Sequence, residues 1–251
     1  MPESIADNRR RLRALAEQKP TEVEQVVTVL ADIAETASAL ERGKADGIAC
    51  FSRLYHRITA DVLDAYEKGQ LFHCGKFIYE LDLAFAQRYL DALRDWLDEG
   101  SDAPGCWQLL FARRQEDLAE WRFAVAGVNA HVNFDLAFAL LDVWQEHDTP
   151  LATTADQYED YVAINTIFHN RMDELCEDNK VPWTDWGAIA PDGGIIDRIG
   201  NLVGDVLVRG TRDFAWTHAE RWYPHRKTDG YRVGPTAMLD VTATKLAQIF
   251  I

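Results

Sequence analysis

Residues 127–145 read GVNAHVNFDLAFALLDVWQ and form the later part of a helical pattern that runs from 104 to 145. This is the most apolar segment of the chain, and its first half also carries four polar side chains, at Asn129, His131, Asn133 and Asp135. We interpret the pattern as two helices or one kinked helix, because a glycine inside a helix costs roughly 1 kcal/mol relative to alanine. Such an apolar helix predicts a core element around which other helices pack.

Helical patterns flank this segment on both sides. Apolar residues recur at helical spacing in further stretches, at 21–43, 48–68, 76–98, 154–178, 195–223 and 236–250. Proline and glycine predict two long loops, near 181–194 and 224–235. The sequence therefore predicts an all-α fold, a single-domain antiparallel helical bundle of about seven to nine helices.

One domain accounts for the whole chain, 1–251, because no repeat, low-complexity segment or change in composition marks a boundary. Its 251 residues are 47% hydrophobic, which is enough to bury a large core. Residues 1–20 are expected to form an N-terminal helix that is only loosely attached.

Charge and composition limit the partners of the chain. The 41 acidic residues outnumber the 26 Lys and Arg, and the net charge of −15 repels phosphate backbones and anionic lipid surfaces. No apolar run approaches the roughly 20 residues that cross a bilayer, and the charged N-terminus lacks a signal-peptide core. We expect a cytoplasmic protein that binds neither nucleic acid nor membrane. The four cysteines form no C-x-x-C pair, so the sequence predicts neither a zinc cluster nor a disulfide framework.

His131 and Asp135 are four residues apart, so on a helix they face the same side and can share a hydrogen bond or a divalent metal ion. Asn129 and Asn133 flank that face. An imidazole held by a carboxylate can act as a general base, or the pair can supply two metal ligands. A complete metal site needs further donors, for which the candidates are Glu80, Asp82, His56, His73 and His169. The alternative is a buried polar network that only ties helices together.

Several common catalytic motifs are absent from the sequence. It contains no G-x-S-x-G, no G-x-G-x-x-G, no Walker-type glycine loop, no H-E-x-x-H and no twin E-x-x-H of di-iron bundles. An aromatic-rich helical bundle can nevertheless enclose an apolar ligand.

The segment 127–136, GVNAHVNFDL, resembles the G-M-N-A-H-I-x-x-D-L signature of the family called domain of unknown function 5995. Three other stretches are similar to motifs of that family, F-x-x-L-Y-x-x-x-T from Phe51, D-x-x-F-A-x-x-Y from Asp82 and R-x-x-A-W-x-x-A from Arg212. The resemblance covers a family-like core of about 45–222 and implies a helical fold of unassigned activity. Val128 replaces the methionine of the signature. Matched positions that could converge on one pocket are Tyr55, Asp82, Asn129, His131, Asp135 and Trp216.

Three functional hypotheses remain open. The first is an enzyme that acts on a small, largely apolar metabolite by hydrolysis, cyclisation or elimination. In it His131, Asp135 and Asp82 are catalytic, and substrate contacts come from Tyr55, Asn129, Asn133 and Trp216. The second is a small-molecule-binding or scaffold protein in which the His/Asp network is structural. The third is a metal-dependent hydrolase or oxygenase, with His131 and Asp135 among the ligands of a divalent metal.

Overall fold

The computed structural model describes residues 5–39, 45–98, 102–178 and 211–251, which fold into helices with no strand among them. The α-helices are α1 (Ile5–Ala16), α2 (Val23–Ser38), α3 (Gly47–Lys68), α4 (Gly75–Leu97), α5 (Gly105–Arg113), α6 (Glu120–Ala130), α7 (Leu136–Glu146), α8 (Ala155–Asp178), α9 (Thr211–Trp222) and α10 (Val233–Phe250). The all-α prediction is confirmed for this part of the chain. The loop predicted near 181–194 lies outside the described residues.

A central rod, Glu120–Glu146, consists of α6, one π-helical turn (His131–Asp135) and α7. It is apolar and long enough to cross a bilayer, but its most apolar window is completely buried inside the protein. A core helix has the same composition, so this is only weak evidence for a membrane span. Residues 114–119 separate α5 from the rod, so the pattern predicted over 104–145 forms two helical elements, and the second of them contains the π turn.

Within the described part of the chain, five helices surround the rod. Helices α3 and α10 pack against α6, and α4 and α9 pack against α7, whereas α5 lies between α10 and the start of the rod. The π turn itself contacts α4, α9 and α10. Side chains from elements far apart in sequence therefore meet at the middle of the rod.

Helix α3 has well-defined ends. Asp46 caps its N-terminus by accepting hydrogen bonds from the amides of Ile48 (3.0 Å) and Ala49 (3.4 Å), and Arg114 pairs with the same carboxylate at 2.7 Å. Gly69 ends the helix with a φ of 62°, a left-handed conformation that glycine adopts without steric cost. These ends fix which face of α3 lies against the rod.

Close approach of α3 to the rod depends on Gly127. A Cβ atom at this position would overlap the ring of Phe51, which is buried on α3. The helix-propensity cost of this glycine is therefore offset by packing that no larger residue allows.

The first and last described helices, α1 and α10, are also packed against other helices. Leu12 and Ala16 of α1 are fully buried, and α1 contacts α2 and α4. Near the C-terminus the predicted loop at 224–235 is shorter than expected, because a 3₁₀ turn occupies Tyr223–His225 and α10 begins at Val233 instead of at 236. Pro235 lies within the first turn of α10, where its missing N–H removes no helical hydrogen bond.

Candidate functional site

The site is built on the π turn of the central rod. Its five residues, His131–Asp135, are all buried, and the turn closes with a hydrogen bond from the amide of Leu136 to the carbonyl of His131. Single π turns inside α-helices occur often at functional sites, because the extra residue changes the direction of the side chains on one turn. Here the turn lies where α4, α9 and α10 reach the rod.

Asp135 holds the imidazole of His131 in a fixed orientation. The Nδ1 atom of His131 lies 2.9 Å from Oδ2 of Asp135, and the indole N–H of Trp107 donates to the same oxygen at 3.0 Å. Because a carboxylate oxygen accepts, the proton of the neutral imidazole belongs on Nδ1. The Nε2 atom then carries the lone pair, and it is buried without a hydrogen-bond partner among the described residues.

Aromatic rings enclose the imidazole. Phe85 stacks on it with ring centroids 3.4 Å apart and planes 7° apart, and Tyr55 meets it edge-on at 4.6 Å. Burial lowers the pKa of His131, whereas the hydrogen bond to Asp135 opposes that shift. The imidazole is therefore neutral at pH 7, as a general base must be.

The side chain of His131 lines a cavity of about 60 Å³ between α3, α4, the rod, α8 and α9. A cavity of this size is several times the roughly 10–15 Å³ that one water molecule needs, and well below the roughly 150 Å³ that holds benzene. Aliphatic and aromatic side chains form most of its wall. Among the described residues, the polar ones in the wall are Tyr55, Asp82, His131 and Arg212.

Asp82 and Tyr55 face the same cavity as His131. The Oδ2 atom of Asp82 and the hydroxyl of Tyr55 are buried and lack hydrogen-bond partners within the described residues. Burial raises the pKa of Asp82 to about 7. Burial, with smaller contributions from the carboxylates of Asp82 and Asp135, raises the pKa of Tyr55 well above its usual value. Both groups can therefore carry a proton at neutral pH.

Arg212 is the polar residue of the wall that the sequence analysis did not select. It is only 5% exposed, its Nη2 atom donates to the carbonyl of Tyr161 at 2.9 Å, and its guanidinium lies over the Tyr161 ring at 4.2 Å. The Tyr161 hydroxyl in turn donates to the carbonyl of Arg212 at 2.7 Å. Arg212 is the first residue of the R-x-x-A-W-x-x-A motif, so the family motif could have identified it. From that motif only Trp216 was predicted to contribute to the pocket.

The remaining predicted site residues lie elsewhere. Asp135 is behind His131 and borders a surface groove, not the cavity. The amide of Asn129 donates to the carbonyl of Ala243 on α10, and Asn133 donates to Asn129, each at 2.8 Å. Trp216 lies in an aromatic cluster, in contact with the rings of Phe77, Trp144, Tyr158 and Tyr161.

The described residues contain no group of three or more His, Cys, Asp or Glu side chains placed to hold a metal ion. His131 Nδ1 and Asp135 Oδ2 are bonded to each other, so these two atoms do not jointly face an open position. A divalent metal held by His131 and Asp135 would therefore find no third protein ligand among the described residues.

Fold and site together define an all-α protein with a small, mostly apolar cavity at a π turn in its central helix. The chain belongs to the family described as family of unknown function (DUF5995), whose match covers residues 23–251. That match confirms the resemblance and extends it beyond the stretch 45–222 at both ends. No curated protein and no solved structure matches the chain.

Proposed function

We propose that this protein is an enzyme that transfers protons on a small, largely apolar molecule bound in the cavity, with His131 as the general base. The observation that carries the proposal is that His131 lines the cavity, with its Nε2 atom buried and unpartnered among the described residues, while Asp135 holds the opposite ring nitrogen. A purely structural histidine in a core is normally hydrogen-bonded at both nitrogens. An imidazole fixed on one side by a carboxylate and free on the other has the arrangement of a catalytic base.

Asp82 supplies the complementary acid in this proposal. Its carboxyl group is about half protonated near pH 7, because burial raises its pKa to about 7. His131 accepts a proton from a C–H or O–H bond of the substrate at Nε2, and Asp82 donates its proton to the atom that gains electron density. The phenol of Tyr55 donates a hydrogen bond to the same developing charge. An isomerisation needs only such paired proton transfers. In an elimination the proton of Asp82 goes to the leaving group as its bond to carbon breaks, and in a cyclisation the deprotonated O–H attacks a carbonyl carbon whose oxygen takes that proton. In each case a proton returns from His131 to Asp82 through solvent before the next turnover.

The experiment uses small carbonyl compounds as probes of proton abstraction. Purified protein is incubated in D₂O with acetone, butanone or pyruvate, and incorporation of deuterium next to the carbonyl is followed by ¹H NMR. We expect exchange above the buffer rate for at least one probe, and a loss of about a hundredfold or more in His131→Gln, since general-base catalysis contributes roughly 10²–10⁴. Asn133→Ala is the control, because Asn133 is two residues away but does not line the cavity.

Exchange at the buffer rate with every probe, or equal exchange by wild type and His131→Gln, would overturn the proposal. Thermal unfolding of each variant is measured in parallel, so that loss of the fold is not read as loss of the base.

A non-catalytic binding or scaffold role is the second candidate, and the size of the cavity favours it. At about 60 Å³ the cavity has less than half of the roughly 150 Å³ that holds the six carbons of benzene, so it accommodates about two or three non-hydrogen atoms. In a scaffold, water would fill this space and His131 would only hold the rod against α3 and α4. His131→Gln would then destabilise the fold, and no deuterium exchange would be seen in the wild type.

A further inference from the structure

Arg212 places a buried positive charge in the wall of the cavity without a balancing carboxylate among the described residues. Arg212 is only 5% exposed to solvent. Its Nε atom is buried and has no hydrogen-bond partner among the described residues. No ion pair joins it to a carboxylate of those ranges, although the adjacent Asp213 contributes a weak attraction. A buried charge that lacks a partner is costly, and a ligand that supplies the opposite charge would offset that cost.

Tyr161 holds the guanidinium in place before any ligand arrives. The Nη2 atom of Arg212 donates to the carbonyl of Tyr161 at 2.9 Å, and the hydroxyl of Tyr161 donates to the carbonyl of Arg212 at 2.7 Å. The guanidinium carbon lies 4.2 Å from the centre of the Tyr161 ring. These contacts use one terminal nitrogen and one face of the guanidinium. The Nε–H donor remains unused, and a planar guanidinium edge fits a carboxylate particularly well.

From this arrangement we infer that Arg212 binds a carboxylate, and that the substrate of the cavity is a small monocarboxylic acid with an apolar body. This inference rests on the proposed function and specifies its substrate class. Aliphatic and aromatic side chains, including Leu54, Ile58 and Phe168, supply the surface for the body. The volume of about 60 Å³ limits the part of the molecule that enters the cavity to about two or three non-hydrogen atoms, since roughly 150 Å³ holds the six carbons of benzene. A carboxylate bound at Arg212 would leave its carbon chain in the cavity that His131 and Asp82 border.

The chain as a whole repels anions, because its net charge is −15. Selective binding of a carboxylate therefore requires a local cation, and Arg212 is a cation of the cavity wall. This makes the comparison of an acid with its neutral amide a direct test, since the two have nearly the same shape and differ in charge.

The test measures binding of propionate and propionamide to the wild type by ¹H–¹⁵N NMR titration, with Arg212→Gln as the variant and Arg57→Gln as the control. Arg57 is an exposed arginine on α3 that does not line the cavity. We expect wild type and Arg57→Gln to bind propionate at least tenfold more tightly than propionamide. Arg212→Gln should lose this preference, because a charge-assisted hydrogen bond is about twice as strong as a neutral one.

Equal binding of acid and amide by the wild type would overturn the inference, as would an undiminished preference in Arg212→Gln. If Arg212→Gln does not fold, the wild-type comparison alone still decides. His131→Gln separates the two proposals, since it should retain propionate binding and lose deuterium exchange. Acid preference without exchange in the wild type would refute the proposed proton transfer and leave carboxylate binding standing. Exchange of acetone without acid preference would refute the role of Arg212 and leave His131 as the base.

Discussion

Asp82→Asn should make the protein more stable at alkaline pH, and the gain should grow as the pH rises. Asp82 is a carboxyl group whose Oδ2 atom is buried and unpartnered within the described residues, and burial raises its pKa to about 7. A group whose pKa is raised in the folded state favours folding while it is protonated. That contribution is lost as the pH rises from the unfolded value of the pKa through the folded value. Asparagine has the same shape and never ionises.

The magnitude follows from the two pKa values. The pKa of Asp82 rises from the ordinary 3.8 to about 7, a difference of about three. At about 1.4 kcal/mol for each pKa unit, ionising Asp82 in the folded protein costs about 4 kcal/mol more than in the unfolded chain. Between pH 5 and pH 8 the free energy of unfolding of the wild type falls by about 2.5 kcal/mol from this group alone. Over this range Asp82 is already ionised in the unfolded chain, whereas in the folded protein it loses its proton only near pH 7. This is a large fraction of the roughly 5–15 kcal/mol that stabilises a typical domain.

Urea denaturation followed by tryptophan fluorescence and circular dichroism, at pH 5, 6, 7 and 8, measures this effect. The difference in free energy of unfolding between Asp82→Asn and wild type should widen by about 2.5 kcal/mol from pH 5 to pH 8. Glu67→Gln serves as the control, because Glu67 is an exposed carboxylate on α3, and its profile should follow the wild type.

A constant difference between Asp82→Asn and wild type across this range would refute the reasoning. It would mean that the carboxyl of Asp82 titrates in the folded protein as it does in the unfolded chain. The role of Asp82 as a proton donor near neutral pH would then fail as well. If the difference in free energy of unfolding between Glu67→Gln and wild type also widened from pH 5 to pH 8, the effect would come from the change in net charge and not from the burial of Asp82.

Two further variants and one spectrum test other parts of the site. Gly127→Ala should destabilise the protein by about 1–3 kcal/mol in urea denaturation, because the new methyl group overlaps the Phe51 ring, and Phe51→Leu in the same chain should restore part of the loss. Asn129→Ala should cost about 1–3 kcal/mol, because it removes the bond to the carbonyl of Ala243 and leaves the buried side-chain amide of Asn133 without its acceptor, while propionate binding stays at the wild-type level; weaker binding would contradict its placement away from the cavity. The ¹⁵N spectrum of His131 at pH 7 should show a neutral ring protonated at Nδ1, and an imidazolium pattern would disprove the lowered pKa.

Most of the helical framework could be predicted from the sequence, because amphipathic spacing and end signals are local properties. The pattern at 48–68 with Gly69 beyond it corresponds to α3, and the pattern at 76–98 corresponds to α4. The pairing of His131 with Asp135 is local in the same sense, since the two residues are separated by one helical turn. Local periodicity does not reveal the π turn, which changes the direction of side chains within an otherwise regular helix.

The cavity, by contrast, is decided by the tertiary structure. Tyr55, Asp82, His131 and Arg212 come from four different helical elements and meet only because α3, α4 and α9 pack around the rod. Packing also directs Asn129 toward α10 and Trp216 into an aromatic cluster. The sequence by itself determined the all-α class, the family and a polar pair in the core helix, because each depends on neighbours within a few turns or on a contiguous motif. Which polar groups share the cavity depends on contacts between residues far apart in the chain, and these arise only when the helices are assembled.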